Sequence, residues 1–571
     1  MAYESLQKKL NRVRAPHVHI TYDVEVGDAI EKRELPFVLG VLADLSGKPQ
    51  EPLPPLRDRR FVEINRDNFD QLVRTVRPNV RFTVGNTLAE DDSQLSIELS
   101  FRNIDDFAAD AVAMQVPVLN EMLLLRDKLS NLRAALFGND ELEENLQEIL
   151  VHPPLLREVA QELEVLQDPL SGATPSNQVQ RLLDSARVGR SVEDRAAATI
   201  WLRDFIQEAV NGSLFISRDT ESVISARVAE IDRLVSLQLD EILHHADLQK
   251  LEATWRGLWY LVDQSETSAR LKIRVLNLSK QELVRDLERA AEFDQSVTFK
   301  KVYEEEYGTM GGLPYAVLIG DYYFGREARD VALLERMAQI AASSHAPFLA
   351  GAAPEMFNLT AFSELGNPRD LSKIFDSQIY QRWTYFRKSE DARFVGLVLP
   401  RLLLRLPYGR DTLPVERFSY EEQLRNHETY LWGNPAFAFG VRLSEAFARY
   451  GWFAAIRGVE GGGLIAGLPA HQFLSDDGEV VLKCPTEIAI TDRRELELTH
   501  LGFIPLLHVK NTDTAVFFSV PSCYKPAMYL DSERNASGAL SANLDYVLAV
   551  SRFTHYLRCI MRDKIGSYLS A

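Results

Sequence analysis

The sequence predicts a mixed α/β fold in which helices cover both faces of a sheet. Short apolar runs bounded by turn residues, such as residues 36–42 (PFVLGVL) and 315–319 (YAVLI), are typical of buried strands. Longer segments between such runs repeat apolar residues every three or four positions, which is the period of a helix. Strand and helix patterns alternate through much of the chain, and this alternation favours a sheet with helices on both sides.

The length of 571 residues exceeds that of one compact domain and suggests several. We predict a small unit at residues 1–150, a linker at 151–180 and a larger unit at 181–571. The linker is placed by composition, because residues 168–178 (DPLSGATPSNQ) collect Pro, Gly, Ser and Thr in one short stretch.

The small unit is predicted to contain three strands and two helices. Alternating apolar and polar residues predict strands at 18–26 and 95–101, and the run 36–42 predicts a buried strand. Helical spacing begins at Phe69 and stops at Pro78. A second helix carries the leucine stripe Leu125, Leu129, Leu132 and Leu136, with Gly138 as its C-terminal cap.

The larger unit begins with one long amphipathic helix. Its apolar positions recur at three and four residues, so they line one side of the helix. They are Ile224, Val228, Ile231, Val235, Leu239 and Ile242. Strands are then predicted at 271–278, 315–319, 348–350, 394–399 and 487–490, with helices at 282–288 and 331–342 between them.

Charge and cysteine content exclude several classes of protein. The net charge of −18 argues against a general nucleic-acid-binding surface, because phosphate affinity comes from clustered Lys and Arg. The cysteines Cys484, Cys523 and Cys559 form no CxxC motif and are expected to be reduced thiols. The N-terminus has no apolar signal-peptide core, and the most apolar stretch, 394–406, is too short to insert in a membrane. We therefore expect a cytoplasmic protein.

The sequence predicts no catalytic, metal or cofactor site. His244 and His245 are adjacent, so on a helix they point about 100° apart and suit one metal poorly. The glycine run 461–463 lacks the lysine of a phosphate-binding loop, and no GxSxG motif occurs. Asp321 and the acidic run 303–307 are interpreted as solvated or interface charge.

The strand at 18–26 allows two interpretations. Its apolar side is formed by Val18, Ile20, Tyr22, Val24 and Val26, which alternate with polar residues along the sequence. The charged loop 27–34 follows the strand. The strand is either an ordinary edge strand of its own sheet or an arm that adds to the sheet of a neighbouring subunit through backbone hydrogen bonds.

Longer runs of residues resemble one known family. Residues 61–73 (FVEINRDNFDQLV) and 81–107 (RFTVGNTLAEDDSQLSIELSFRNIDDF) resemble TssB (VipA-like), the small sheath subunit of bacterial type VI secretion systems. From about residue 221 the chain resembles TssC (VipB-like), the large sheath subunit. The most specific runs are AAIRGVEGGGLIAGLP (454–469), KCPTEIAITDRRELELTHLGFIPL (483–506) and SRFTHYLRCIMRDKIGS (551–567).

The resemblance implies a contractile-tail-sheath-like fold and a structural protein without enzymatic activity. In this family the two subunits form a pair that polymerises into a helical tube around an inner Hcp tube, joins a baseplate and contracts. Neighbours are tied by exchanged strands, and residues 18–26 stand where the small subunit supplies one. We expect the apolar faces 125–136 and 224–242 to bury the subunit pair.

The family's contracted sheath is recycled by the AAA+ unfoldase ClpV, which grips a helix near the start of the large subunit. That helix corresponds to residues 180–188 here, where Leu182, Leu183 and Asp184 match the pattern.

Two departures from the family pattern stand out. The two subunits occupy one chain, which enforces equal stoichiometry. We also expect a shortened large subunit, because the family continues into a further C-terminal region beyond the position of Ala571. A sheath-like adaptor, cap or modulator that does not propagate is therefore the alternative to a polymerising sheath.

Overall fold

The structure, a computed structural model, describes residues 18–26, 29–89, 91–137, 139–165, 176–185, 192–210, 220–309, 311–453, 455–474 and 480–570. It confirms the predicted mixed α/β fold. The strands are β1 Tyr22–Val26, β2 Ala29–Arg33, β3 Phe37–Ala43, β4 Val62–Ile64, β5 Asn79–Gly85, β6 Gln94–Ser100, β7 Leu271–Asn277, β8 Val317–Phe324, β9 Phe348–Ala352, β10 Val395–Leu399, β11 Leu402–Leu403, β12 Trp432–Gly433, β13 Leu464–Ile465, β14 Gln472–Leu474, β15 Val480–Leu482, β16 Phe503–Pro505, β17 Leu507–His508 and β18 Ala515–Val516.

Helices account for most of the remaining regular structure. Those of six residues or more are α1 Phe69–Val76, α2 Ala109–Gln115, α3 Pro117–Leu136, α4 Asp140–Val151, α5 Pro153–Val165, α6 Asn177–Ser185, α7 Val192–Val210, α8 Thr220–Leu243, α9 Ala246–Asp263, α10 Lys280–Arg289, α11 Ala328–Ser344, α12 Gln381–Phe386, α13 Pro435–Tyr450, α14 Asp492–His500, α15 Ser532–Ser541 and α16 Leu544–Ser570.

A seven-stranded mixed sheet forms the centre of the fold, in the order β16-β10-β9-β8-β3-β7-β4. All neighbours are parallel except β4 and β7. The N-terminal strand β3 lies between β7 and β8, and Leu39 stands opposite both Ile273 and Val317. The main strand of the first part of the chain therefore completes the sheet of the second part, while β1–β2 and β5–β6 form separate two-stranded sheets.

Two apolar cores cover the faces of this sheet. Leu39 and Val41 point to the first core, whereas Val38 and Leu42 point to the second, as the two-residue period of a strand requires. The first core includes residues of α1 to α9 and α13, and the second includes residues of α10, α11, α12 and α14. Among the described residues, all nine helices α1 to α9 thus contribute to one side of the sheet.

Local sequence features set the ends and spacing of the helices around the sheet. Ser279 and Glu282 form a capping box that starts α10. Asn434 caps α13, which Gly451 ends in the left-handed region at φ 64°. A Cβ atom added to Gly257 would lie 2.6 Å from the Phe437 ring, so this glycine lets α9 approach α13 closely.

One predicted strand and one predicted loop need correction. Residues 487–490 form no strand; the buried Glu487 carboxylate instead accepts hydrogen bonds from Arg401 Nε at 2.8 Å and from the Phe362 amide at 3.1 Å, and the sheet edge is β16. The charged loop predicted at 27–34 contains β2, because the backbone of Ala29–Arg33 pairs with β1. Sequence polarity alone does not show such pairing.

Candidate assembly surfaces

The predicted N-terminal arm is a two-stranded antiparallel hairpin outside the central sheet. Tyr22 stands opposite Arg33, and Val26 stands opposite Ala29. The residues that join the two strands, 27 and 28, lie outside the described residues. Within the described part of the chain neither strand has a second strand neighbour, so each offers one unpaired edge.

The hairpin is anchored on the C-terminal helix α16. Tyr22 and Val24 are buried together with Tyr556 and Cys559, and Ile20 packs against this cluster. The Tyr22 hydroxyl donates a hydrogen bond of 3.0 Å to Asp563 Oδ2. This contact joins the start of the described chain to its last helix, because the two residues are 541 positions apart.

The predicted exchange residues therefore have different surroundings. Ile20, Tyr22 and Val24 face α16, whereas Val18 is exposed and its amide donates to the Tyr450 carbonyl at 2.7 Å. The side chain of Val26 lies outside the described residues, although its backbone belongs to β1. Exchange with a neighbour stays a prediction, since one chain is present.

The two predicted helix faces lie against each other. Helix α3 packs on α8, with Arg126 Nε 2.8 Å from Asp232 Oδ1. Leu125 is half-buried, and the other stripe residues are buried: Leu129, Leu132, Leu136, Ile224, Val228, Ile231, Val235, Leu239 and Ile242. The predicted C-terminal cap of α3, Gly138, lies outside the described residues.

The predicted unfoldase-recognition residues lie on α6, which belongs to a helical bundle on the first face. Leu182 is buried in the first core, Leu183 is half-buried and Asp184 is exposed. Residues 186–188 lie outside the described residues. The predicted linker 151–180 contains α5 and the start of α6, and residues 166–175 between them lie outside the described part.

Polar contacts between early and late parts of the chain surround the shared sheet, and the sequence did not indicate them. Arg59 forms a bidentate pair with Glu282, with distances of 2.5 and 3.0 Å. The Trp255 indole donates to the Leu45 carbonyl at 3.1 Å. The buried Lys301 ammonium donates to backbone carbonyls of Arg57 and Arg59. These contacts fix the early part of the chain in one orientation on the late part.

A buried ionic network stabilises the connection from β10 to α13. Arg405 donates to Glu252 Oε1 at 2.9 Å and to Glu422 Oε2 at 2.7 Å, and His244 lies 3.0 Å from Glu422 Oε1. Burial alone would raise the pKa of Glu422, but Arg405 and the His244 hydrogen bond lower it to about 2. His245 caps α9 and stacks on Phe82, so the adjacent histidines have separate structural roles.

A cleft of about 470 Å³ opens at the carboxyl ends of β3 and β8, beside Asp44 and Asp321. Asp321 Oδ2 accepts a 2.6 Å hydrogen bond from Thr254, and burial raises the pKa of this carboxyl. Of the two interpretations of Asp321, solvated or interface charge, the first is therefore wrong and the second stays a prediction. Glu306 departs from the first interpretation too, since it pairs with Arg274 at 2.8 Å. Among the described residues no group of three or more His, Cys, Asp or Glu is placed to hold a metal ion.

Comparison with known proteins identifies the family to which the chain belongs. Residues 225–524 match the VipB family, described as the EvpB tail sheath N-terminal domain, and residues 533–571 match its tail sheath gpW/gp25-like domain. Residues 10–164 match the VipA family of type VI secretion systems. The chain belongs to the type VI secretion sheath family.

Both sheath subunits have curated relatives in Pseudomonas aeruginosa. The sheath protein TssC1 is 50% identical over 378 residues, which is 66% of this chain and 76% of the relative. The sheath protein TssB1 is 44% identical over 156 residues, which is 27% of this chain and 90% of the relative. The chain is therefore a sheath component in which a TssB part and a TssC part are fused. In the described part of this sheath protein, no helix has the length and apolarity needed to cross a membrane.

Proposed function

We propose that this chain assembles with copies of itself into the helical tube of a type VI secretion sheath, and that contraction of the tube drives effector delivery. The hairpin β1–β2 carries the proposal, because it is held to the body by α16 yet keeps both outer edges unpaired among the described residues. Pairing through such an edge supplies directional backbone hydrogen bonds between subunits.

The shared sheet gives this proposal a rigid building block. Because β3 lies between β7 and β8, the TssB part and the TssC part move together. A subunit that transmits contraction needs this internal stiffness, while its links to neighbours must tolerate rearrangement. The α3–α8 contact adds a second connection between the two parts.

The proposed partners are neighbouring sheath subunits, an inner Hcp tube, a baseplate and the ClpV unfoldase. The buried position of Leu182 implies that an unfoldase would reach this residue only after α6 leaves its bundle. We place the sheath in the cytoplasm, and the three free cysteines suit a reducing compartment.

The proposal includes no catalytic role. Burial raises the pKa of Cys523 to about 12 and that of Cys559 to about 11, so neither thiol supplies a thiolate near neutral pH. Turnover that Cys523→Ala abolishes would contradict this part of the proposal.

Electron microscopy of the purified chain, with and without Hcp, tests the assembly. Tubes or stacked rings are expected from the unaltered chain. Deletion of residues 1–26 removes β1 and should abolish them, whereas deletion of residues 1–17 keeps both strands and should leave them intact. A strict monomer at high concentration would refute polymerisation. Stable binding to Hcp or baseplate without any tube would favour the adaptor instead.

A further inference from the structure

Two exposed charge clusters of opposite sign lie on opposite sides of the central sheet. The arginine surface is formed by Arg57, Arg285 and Arg289, which line an open cavity of about 640 Å³. The acidic surface is the outer side of α4, formed by Asp140, Glu141, Glu144 and Glu148.

The arginine surface has little internal neutralisation. Arg285 and Arg289 are one helical turn apart on the exposed side of α10, and neither forms an ion pair with a described residue. Arg57 lies 3.6 Å from Asp58 in an exposed pair. The two carboxylates that line the cavity are occupied elsewhere, since Glu282 pairs with Arg59 and Asp286 accepts from the Thr298 amide and hydroxyl. Arg285 and Arg289 therefore remain for an external anion, and Arg57 adds a guanidinium group that Asp58 neutralises only in an exposed pair.

The acidic surface is equally unmatched. Helix α4 contains no Lys or Arg, and none of its four exposed carboxylates forms an ion pair with a described residue. With 3.6 residues and a rise of 1.5 Å per residue, these positions fall within an arc of about 100° and a length of about 12 Å. Like charges at i and i+4 disfavour the helix until a counter-charge arrives.

The fold prevents the two surfaces from neutralising each other within one chain. Leu142 and Leu146 hold α4 in the core on the first face, whereas Leu283 and Leu287 hold α10 in the core on the second. A contact between two different faces is heterologous, and its repetition produces a ring or an open helical array.

We propose that the acidic surface of α4 docks into the arginine surface of a second copy of the chain. The carboxylates would take bidentate hydrogen bonds from Arg285 and Arg289 and a further one from Arg57. This inference rests on the proposed self-assembly and names one of its interfaces, which uses side-chain charge and is separate from the hairpin edges.

Charge reversal of the full chain tests the interface by sedimentation and electron microscopy. Arg285→Glu with Arg289→Glu should raise the concentration needed for assembly by about tenfold or more. Glu141→Arg with Glu144→Arg should have the same effect. The combination of all four substitutions should restore assembly at least in part, because the pairings of positions 285 and 289 with positions 141 and 144 are present again with reversed polarity, while Arg57, Asp140 and Glu148 are unchanged. Arg74→Glu with Arg410→Glu changes the net charge equally at exposed arginines that form no ion pair with a described residue, and should assemble normally.

A crosslinking experiment covers the case in which the reversed variants fold poorly. Glu144→Cys and Arg289→Cys are introduced in a Cys484→Ser background, since the other two thiols are buried. A short bismaleimide should then give a ladder of multimers from assembled protein with both cysteines, and no ladder from either single variant.

The outcomes separate this interface from self-assembly as such. If the unaltered chain and the charge-reversed variants all form tubes, and the double-cysteine variant gives no ladder, the interface is overturned and the proposed function stands. Failure of the unaltered chain to assemble under all conditions would overturn the proposed function first. Assembly lost on reversal but not restored by the four substitutions would show that the arginine surface binds a different acidic partner, and would overturn the pairing with α4.

Discussion

Leu39→Ala tests whether the two parts of the chain form one cooperative structure. Leu39 is 0% exposed, and β3 is hydrogen-bonded on both sides, so the neighbouring Ile273 and Val317 cannot collapse into the space that the substitution creates. Leu→Ala changes in cores cost about 2–5 kcal/mol, and the cost is highest where the site cannot relax. We therefore expect a loss of about 3–5 kcal/mol in the free energy of unfolding.

Urea denaturation followed by tryptophan fluorescence measures this loss. All six tryptophans lie outside the VipA match at 10–164, which contains the substitution, although Trp255 and Trp259 contact that part. Trp383, Trp432 and Trp452 lie within the VipB match and report on the TssC part. The fluorescence midpoint should fall together with the circular dichroism midpoint. Leu124→Ala is the matched control, because Leu124 is 45% exposed and its truncation should cost no more than about 0.5 kcal/mol. A fluorescence transition that Leu39→Ala leaves unchanged would refute the shared sheet.

Three further predictions concern individual contacts. Arg405→Met removes the cation shared by the buried Glu252 and Glu422, which keep only Arg256 and His244 as partners, and should cost about 3–5 kcal/mol in urea denaturation. Arg425→Met, at an exposed pair, should cost no more than about 1 kcal/mol, and equal losses would contradict the network. Burial lowers the pKa of His555 to about 3 and that of His345 to about 4, below the ordinary value of 6.5. As the pH drops, these histidines therefore bind protons in the unfolded chain before they do so in the folded one, and the free energy of unfolding should fall from pH 6.5 towards pH 3. His555→Gln should reduce the fall in the urea midpoint between pH 7 and pH 5. An unchanged fall would refute the role of His555. Tyr22→Phe removes the hydrogen bond to Asp563 and should speed amide hydrogen exchange in residues 22–33, while Tyr546→Phe on the exposed side of α16 should not.

The sequence predicted local structure well where one apolar period dominates. The run 36–42 and the stripes on α3 and α8 are buried as their periods indicate, apart from the half-buried Leu125. The pattern could not reveal which strands are neighbours, because an apolar run fits any interior position of a parallel sheet. The place of β3 between β7 and β8 is therefore a result of tertiary packing that no local signal records.

Charged residues were harder to interpret from the sequence. Asp321 follows the apolar run 315–319, and it was interpreted as solvated or interface charge. Glu487 begins the segment 487–490 that was predicted to be a strand. Both carboxylates instead accept hydrogen bonds inside the fold, from Thr254 and from Arg401 respectively. The donors are 67 and 86 positions away, so a local reading of the sequence cannot find them. The charged side chains within Ala29–Arg33 led to the prediction of a loop where β2 lies. Backbone pairing does not depend on apolar side chains, so the sequence pattern does not indicate this strand.

The arrangement of the sheet also has a consequence for synthesis of the protein. Strand β3 leaves the ribosome about 230 residues before β7, which at about 5–20 residues per second is an interval of roughly 10–50 s. During that interval a seven-residue strand without a charged side chain has no partner from its own sheet. The helices that follow it, α1 to α9, are made in the same interval and belong to the core that buries Leu39 and Val41. Fusion ensures that the missing strands arrive on the same polypeptide, whereas subunits made separately would have to meet by diffusion.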